Sequence, residues 1–432
     1  MTQMYNDYCA IDFGTSNSAI AIPHPQGGMT LAAIEADFVT MPTAIFYNAE
    51  DGTRAFGRAA IQAYVDGFDG RLMRSIKSIL GADLLDEATD IGHGMTIKYI
   101  DVVIHYLRQL KQTAELAHGQ TLNRVIIGRP VKFVDDNQTR DKNAEAALCR
   151  AAIAAGFQEV NFQFEPIAAA LDYESTITKE EIVLVADIGG GTSDFSIVRV
   201  GAEGGKSNAK KNRQDDILAN HGVHIAGTDF DQAVNIAAIM PCLGLGSLGP
   251  ASQYHRRVPS KIYFDLATWH LINTVYNHHR LIELRDLSVM YADRCYFERL
   301  TTVVTKRLGH ALAAKAEAAK INVATHAHAT ITLDEIEENL VVEFDAVSQA
   351  EALTRRVNDI VNAAIETTRR AKLNAAQINT LYFTGGSTGL RFLTEKIAAQ
   401  FPQANIAVGD RFASVATGLG LEAVRRYGGQ HL

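Results

Sequence analysis

Two stretches of this chain set apolar strand residues on either side of a turn rich in glycine and hydroxyls. "CAIDFGTSNSAIAI" covers Cys9 to Ile22, and "VADIGGGTSDFSIVRV" covers Val185 to Val200. Each runs from a strand through an aspartate, an apolar residue, one or more glycines and Thr-Ser into a second strand. The copies begin about 175 residues apart, the mark of an internal duplication. In a glycine turn no Cβ blocks close approach, so successive backbone N–H groups form a concavity for an anion. The hydroxyls of Thr15, Ser16, Thr192 and Ser193 add donors. Asp12 and Asp187 hold the same place in each copy. Closely bound phosphate needs its charge balanced, and Mg²⁺ takes one or two carboxylates while keeping several waters. One such hairpin alone reads equally well as a structural turn. Two of them facing each other would surround one phosphate-bearing ligand, and a third motif, "LYFTGGSTGL", strengthens that reading. There a strand, a Gly-Gly turn (Gly385, Gly386, then Ser387) and a helix start form an anion or dipole site suited to the rest of a nucleotide. "GGKS" at Gly204–Ser207 is not a phosphate loop of the GxxxxGK type, because the first glycine would fall on Val200.

The elements that must position these turns follow from hydrophobic periodicity. Tyr8–Phe13 and Ala19–Ile22 read as paired strands, and Met41–Tyr47 as another. Arg58 to Leu80 has a helical pattern, and Ile100–His118 is strongly amphipathic. "RVIIGRP" is a buried strand stopped by Pro130, followed by an alanine-rich helix over Asn137–Gly156. "FEPIAAALDY" starts a helix at Pro166. Ile182–Val200 is the second hairpin, and Gly201–Asp216 a polar loop. Asp229–Met240 is helical, Pro241–Ser260 breaks the pattern, and Ile262–Ala319 is mostly helical. Thr330–Leu333 opens a strand. Val347–Lys372 is a long helix whose arginine pairs, Arg355–Arg356 and Arg369–Arg370, form a solvated face. Leu381–Thr384 is a strand, and Leu390–Gln400 and Phe412–Tyr427 are helices. Strands alternating with helices of these lengths indicate an α/β protein.

Composition narrows the function. The 432 residues suit two to three domains or lobes. A net charge of −8 gives no sign of a nucleic-acid surface. The four cysteines are widely spaced and never in CxxC, which fits a reducing cytoplasm. There is no basic-then-apolar leader pattern at the N-terminus and no apolar run of membrane-spanning length. His326 and His328 of "THAHATI" would share a strand face without a third metal ligand. No GxSxG elbow supports Ser-His-Asp catalysis.

The order of motifs resembles the nucleotide-binding domain of the 70-kDa heat-shock (DnaK-type) chaperones, within the actin and sugar-kinase ATPase superfamily. It looks closest to the short bacterial YegD-like members. The likeness rests on "IDFGTSNS", "IKSILG", "EPIAAALDY", "ADIGGGTSDFSI", "GTDFD", "AEAAK", "TGGSTG" and "DRFASVATGLGLEA", in that order. The resemblance implies a two-lobed actin-like α/β fold, with duplicated RNase H-like mixed sheets around a nucleotide cleft. Lobe I would span 1–180, lobe II 181–410, and a C-terminal helix, 411–432, would return toward lobe I. It implies ATP or ADP with Mg²⁺ held by Asp12 and Asp187 through water. Phosphates would meet Gly14, Thr15, Ser16 and Asn17 and, in the second copy, Gly189, Gly190, Gly191 and Thr192. Lys77 would be the catalytic lysine that places the attacking water. Glu165 and Thr192 would lie near that water beside Asp187, with Asp194 a further acid of the cleft. Gly227, Glu317, Lys320, Gly385, Gly386, Ser387 and Asp410 would surround the nucleoside.

Three departures qualify the likeness. Ile321 and Gly389 stand where the family sandwiches adenine between arginines, a loss of roughly 0.5–2 kcal/mol each. A segment at about 239–300 is longer than the family pattern. No client-binding domain is expected after the last ATPase helix. The expected activity is slow ATP hydrolysis by a cytoplasmic, chaperone-like conformational switch serving an unknown protein client or co-chaperone, without nucleic acid or membrane. The alternatives are a nucleotide-binding scaffold without turnover, or a filament former or small-molecule kinase of the same superfamily.

Overall fold

The computed structural model describes residues 6–81, 85–92, 94–134, 137–174, 177–201, 213–251, 256–276, 278–409 and 413–428. Asp410 and the Gly204–Ser207 stretch lie outside them. The chain divides into two compact units. The first comprises 1–223, 363–388 and 397–432, and the second 224–362 and 389–396.

The first unit carries both sheets expected from the duplication. Strands β1 (Tyr8–Phe13), β2 (Asn17–Pro23) and β3 (Met29–Leu31) form an antiparallel meander. Strands β4 (Arg124–Arg129) and β5 (Glu159–Phe164) extend it in parallel from β1, giving the order β5-β4-β1-β2-β3, with Thr40–Pro42 also on β2. The second sheet repeats this plan. Strands β6 (Glu181–Ile188), β7 (Ser193–Val200) and β8 (Ile217–Val223) are the meander, and β9 (Thr380–Thr384) and β10 (Asn405–Val408) lie parallel to β6, in the order β10-β9-β6-β7-β8. The sequence repeat is therefore a repeat of topology. Each glycine turn joins the central strand of its sheet to the neighbouring antiparallel strand.

Strand periodicity sets what each face covers. Cys9, Ile11 and Phe13 pack with Val102, Tyr106 and Leu110 of helix α1 (Tyr99–His118) and Ala147 and Ala151 of helix α2 (Gln138–Ala155). Tyr8 and Ala10 face the other way, toward Ile167 and Ala168 of helix α3 (Glu165–Glu174) and Leu419 and Ala423 of helix α4 (Ser414–Tyr427). Val183 and Val185 of β6 share that cluster. Both α1 and α2 end where the chain turns left-handed at a glycine, Gly119 (φ 74°) and Gly156 (φ 112°). Asn137 caps α2 by accepting from the Arg140 N–H at 3.0 Å.

The second unit has its own core. Ile239, Leu243, Tyr263, Leu266, Val275, Leu284, Tyr291 and Leu300 of the longer segment pack with Leu312 and Ala316 of the helix Gly309–His326. The Tyr263 hydroxyl bonds the Leu243 carbonyl at 3.0 Å and the Tyr291 hydroxyl at 2.7 Å. Buried Asp265 accepts from Arg280 at 2.7 Å and Lys261 at 3.1 Å. This segment is thus a packed part of the unit.

Three expectations need correction. Arg58–Leu80 is not one helix: a helix spans Gly57–Val65, a strand Gly70–Arg74, and a 3₁₀ turn Ile76–Gly81. Gly67 and Gly70 have positive φ, and a Cβ on Gly70 would meet the Tyr47 carbonyl oxygen at 2.1 Å. The helical pattern therefore yields to pairing with Ala44–Asn48. The helix expected over Asp229–Met240 begins at Gly227, widens to a π turn over Asn235–Ile239 and tightens to 3₁₀ over Met240–Leu243, where Pro241 offers no N–H. His326 and His328 do not share a strand. His326 closes a helix, Ala327 turns left-handed (φ 62°), and His328 opens a strand and meets Glu343 at 2.7 Å.

Helices α3 and α4 cross closely because Gly418 has no side chain: a Cβ there would lie 1.8 Å from the Ala168 carbonyl oxygen. Gly418→Val should therefore destabilise the chain by about 1–3 kcal/mol or more, read as a lower urea midpoint. An unchanged midpoint would contradict this crossing.

Candidate functional site

The two glycine turns meet within the first unit. Asp12 and Phe13 pair with Ala19 and Ser18, and Asp187 and Ile188 with Asp194 and Ser193. Each aspartate thus ends a central strand. A Cβ on Gly190 would lie 2.5 Å from the Ser16 hydroxyl oxygen, and one on Gly191 would reach the Thr15 methyl at 4.0 Å. The third motif joins them. A Cβ on Gly385 (φ 88°) would lie 2.7 Å from an Asp187 carboxylate oxygen, and the Ser387 hydroxyl donates to the Gly189 carbonyl at 2.7 Å. Gly385 must be glycine here, since a Cβ would also lie 2.4 Å from the Ile188 carbonyl oxygen. Gly14 is equally constrained, by the Asn17 carbonyl, and Asn17 itself is exposed. Gly386 starts the 3₁₀ turn that carries Ser387.

Acidic side chains converge on this place. Lys77, which is 9% exposed, donates to Glu165 at 2.5 Å. Burial alone would lower the Lys77 pKa, but Glu165 and Asp12, with Asp194 behind them, raise it above its ordinary value. Asp187 is pushed up to about 8 by burial first, then by the charges of Asp194, Glu165 and Asp12. Asp12 is raised as well, by burial and Glu165, with Lys77 opposing. Thr192 donates to Asp194 at 2.8 Å. One buried lysine thus faces four carboxylates, a net negative cluster beside the glycine turns. A Mg²⁺ ion bound mainly through water suits it. Among the described residues no three His, Cys, Asp or Glu side chains are close enough to ligate an ion directly.

Sequence reasoning missed several residues that shape the site. Thr43 ties down the first turn: its hydroxyl donates to the Gly14 carbonyl at 2.8 Å, and its N–H to the Ser16 carbonyl at 2.8 Å. Gly128 leaves room for Glu165, since a Cβ there would touch Glu165 Cγ at 3.2 Å. Gly222 does the same for Asp194, at 2.4 Å from Oδ1. The glycines at the strand ends of "RVIIGRP" and "NHGV" were the available signal. Thr43 gave none.

The remaining sequence candidates lie in the second unit. Gly227 is buried at the start of its helix, and Glu317 is exposed. Lys320 is buried and pairs with Asp231 of the same unit at 2.6 Å. Ile321 is 52% exposed, and Gly389 ends the turn begun at Gly386.

The family model described as Hsp70 protein matches residues 8–238, rather more than half of the chain. Among curated relatives, the chaperone protein DnaK of Endomicrobium trichonymphae is 30% identical over 230 residues, 52% of this chain and 33% of that protein. The chaperone protein DnaK of Thermosipho melanesiensis is 30% identical over 226 residues, and that of Thermosipho africanus 31% over 226. The matched part spans about a third of the length of these relatives. The fold is the two-lobed actin-like ATPase type, and the chain belongs to the Hsp70 family. The match takes in both glycine hairpins, Lys77 and Glu165, and stops before Glu317, Lys320 and the Gly385–Ser387 turn.

The carboxylate charges make a pH prediction. Asp187 and Asp12 have raised pKa values in the folded chain, so the native state binds more protons than the unfolded one between about pH 4 and pH 8. Without divalent cations, the contribution of these two groups to stability should be fully present below about pH 4. It should fall as pH rises toward 8, by a few kcal/mol in order of magnitude. Thermal melts in chelator across that range should show the slope, and Asp187→Asn should reduce it. A melting point that rises from pH 5 to pH 8 would contradict the assignment.

Proposed function

We propose that this chain binds ATP with Mg²⁺ and hydrolyses it slowly, acting as a chaperone-like, nucleotide-dependent conformational switch of the kind the short YegD-like members represent. The observation that carries the reading is the Lys77–Glu165 pair beside the place where the Gly190 and Ser16 turns meet. Thr15, Ser16, Gly189, Gly190 and Gly191, with Gly14, Asn17 and Thr192 completing the two turns, are assigned to the phosphates; the Gly189 N–H itself donates to the Thr192 carbonyl at 3.0 Å and holds the second turn closed. Asp12 and Asp187 are assigned to the metal's waters. When bound, Mg²⁺ would neutralise charge on the phosphate oxygens. Lys77 then has two tasks: to hold a water in line and to offset negative charge that develops as the phosphoryl group leaves. Glu165, held on Lys77, would accept a hydrogen bond from that water, and Thr192 is assigned to the same water from the family likeness. Gly385, Gly386 and Ser387 are assigned to the nucleoside side, with Gly227, Glu317, Lys320 and Asp410 following from the family likeness. A protein client or co-chaperone in the cytoplasm would receive the output.

A second reading, binding without useful turnover, is favoured by Ile321 and Gly389 in place of stacking arginines and by the engagement of Lys320 with Asp231. Hydrolysis separates the two. Purified chain should release phosphate from ATP in a Mg²⁺-dependent manner, and Lys77→Ala should reduce that rate by about 10²–10³. Release that is absent from the wild type, or equal in the variant, would favour the second reading and remove the roles given to Lys77 and Glu165.

A further inference from the structure

Arg129 ends β4 and stands opposite Phe164, the residue before Glu165, in the parallel pairing of β4 with β5. Its side chain is 12% exposed and engaged throughout. Two ion pairs reach α2, one to Asp141 at 3.1 Å and a closer one to Glu145. Its Nε donates to the Pro130 carbonyl at 3.0 Å, and Nη2 reaches the Val131 carbonyl at 3.3 Å. The guanidinium lies 5.1 Å from the Phe164 ring centre and 5.2 Å from that of Phe133. Asp141 also accepts from the Phe133 N–H at 2.5 Å, so the Pro130–Phe133 loop and the first turns of α2 form one assembly around Arg129. The residue before it, Gly128, is the one that leaves space for Glu165.

We propose that Arg129 is a positioning residue for Glu165. It clamps the Phe164–Glu165 strand-to-helix junction to α2, and so holds the carboxylate where Lys77 meets it. A planar fork is needed, because two carboxylates, two carbonyls and two ring faces are served at once. Lysine, a point charge, can serve only part of this set. The effect on turnover rests on the hydrolytic reading above; the effect on the Lys77–Glu165 pair does not.

The test therefore reads Lys77 directly. Acetic anhydride acetylates only neutral amines, so a buried lysine held protonated by a carboxylate is protected. Labelling rates at Lys77 and Lys111 would be measured by peptide mass spectrometry in the full chain. Lys111 is a buried lysine of α1 paired with Glu115, and it reports on the integrity of the unit. Arg129→Gln should raise Lys77 labelling about tenfold, the effect of roughly one pKa unit, with Lys111 unchanged. Arg129→Lys should give a smaller rise, and Glu165→Gln marks the full effect. In both Arg129 variants kcat for ATP should fall with KM near the wild-type value. Lys77 protection equal to wild type in both variants overturns the inference. Equal rises at Lys77 and Lys111 in both also overturn it, since Arg129 would then merely hold the fold. A Lys77 response in a chain that hydrolyses no ATP would leave the positioning role standing and end the hydrolytic reading instead.

Discussion

Four carboxylates share a small space with one buried lysine. Asp12, Glu165, Asp187 and Asp194 lie close together, and among the described residues Lys77 is the cation that offsets them. Buried like charges either keep their protons or recruit a cation. The surrounding backbone is close-packed, with three glycine turns meeting beside the cluster. The cluster is negative, yet its border is arranged for an anion. Under the proposed function, a metal and a phosphate-bearing ligand arriving together would resolve that conflict, because each would supply the charge the other needs. The glycines, the Lys77–Glu165 pair and the assembly around Arg129 can all be understood as holding this arrangement ready.

Duplication explains how a chain achieves it. Each sheet places its aspartate at the end of a central strand, where the chain must turn into an antiparallel neighbour. Two copies of that corner bring two acids and two glycine turns into one place, and the parallel β9 supplies the third turn through Gly385. Helices α3 and α4 then fill the shared core, with Gly418 permitting their close crossing. The longer segment at 239–300 belongs to a separate core in the second unit. Its tyrosine pair and buried Asp265 are satisfied there without reference to the glycine turns.

Much of this was legible in the sequence because the decisive signals are local. A strand, an aspartate, glycines and Thr-Ser can be read within sixteen residues, and the repeat of that string announces the repeat of topology. The amphipathic pattern of α1 and the flanking Asn137 and Gly156 of α2 are local in the same way. Lys77 was harder. Its segment has a helical pattern, yet Gly67 and Gly70 divert it into a strand and a 3₁₀ turn, so only its place in the motif series pointed to the site. Thr43, Gly128, Gly222 and Arg129 were not legible. Their roles depend on a backbone carbonyl 29 residues away for Thr43 and a carboxylate 16 residues away for Arg129, or on space left for a carboxylate from another element. Nothing in the neighbouring residues records such contacts. The π turn at Asn235 and the split histidines of "THAHATI" show the same limit, because a change of helical pitch or one left-handed residue leaves the hydrophobic period intact.

The central claim is that the acidic cluster and the glycine turns form one site for a metal-bound nucleotide. Calorimetric titration of ADP into the purified chain at neutral pH, with Mg²⁺ and with chelator, tests it most directly. The account predicts one nucleotide bound per chain, with affinity markedly higher in Mg²⁺. Absence of binding, or binding of equal strength with and without the metal, would contradict it.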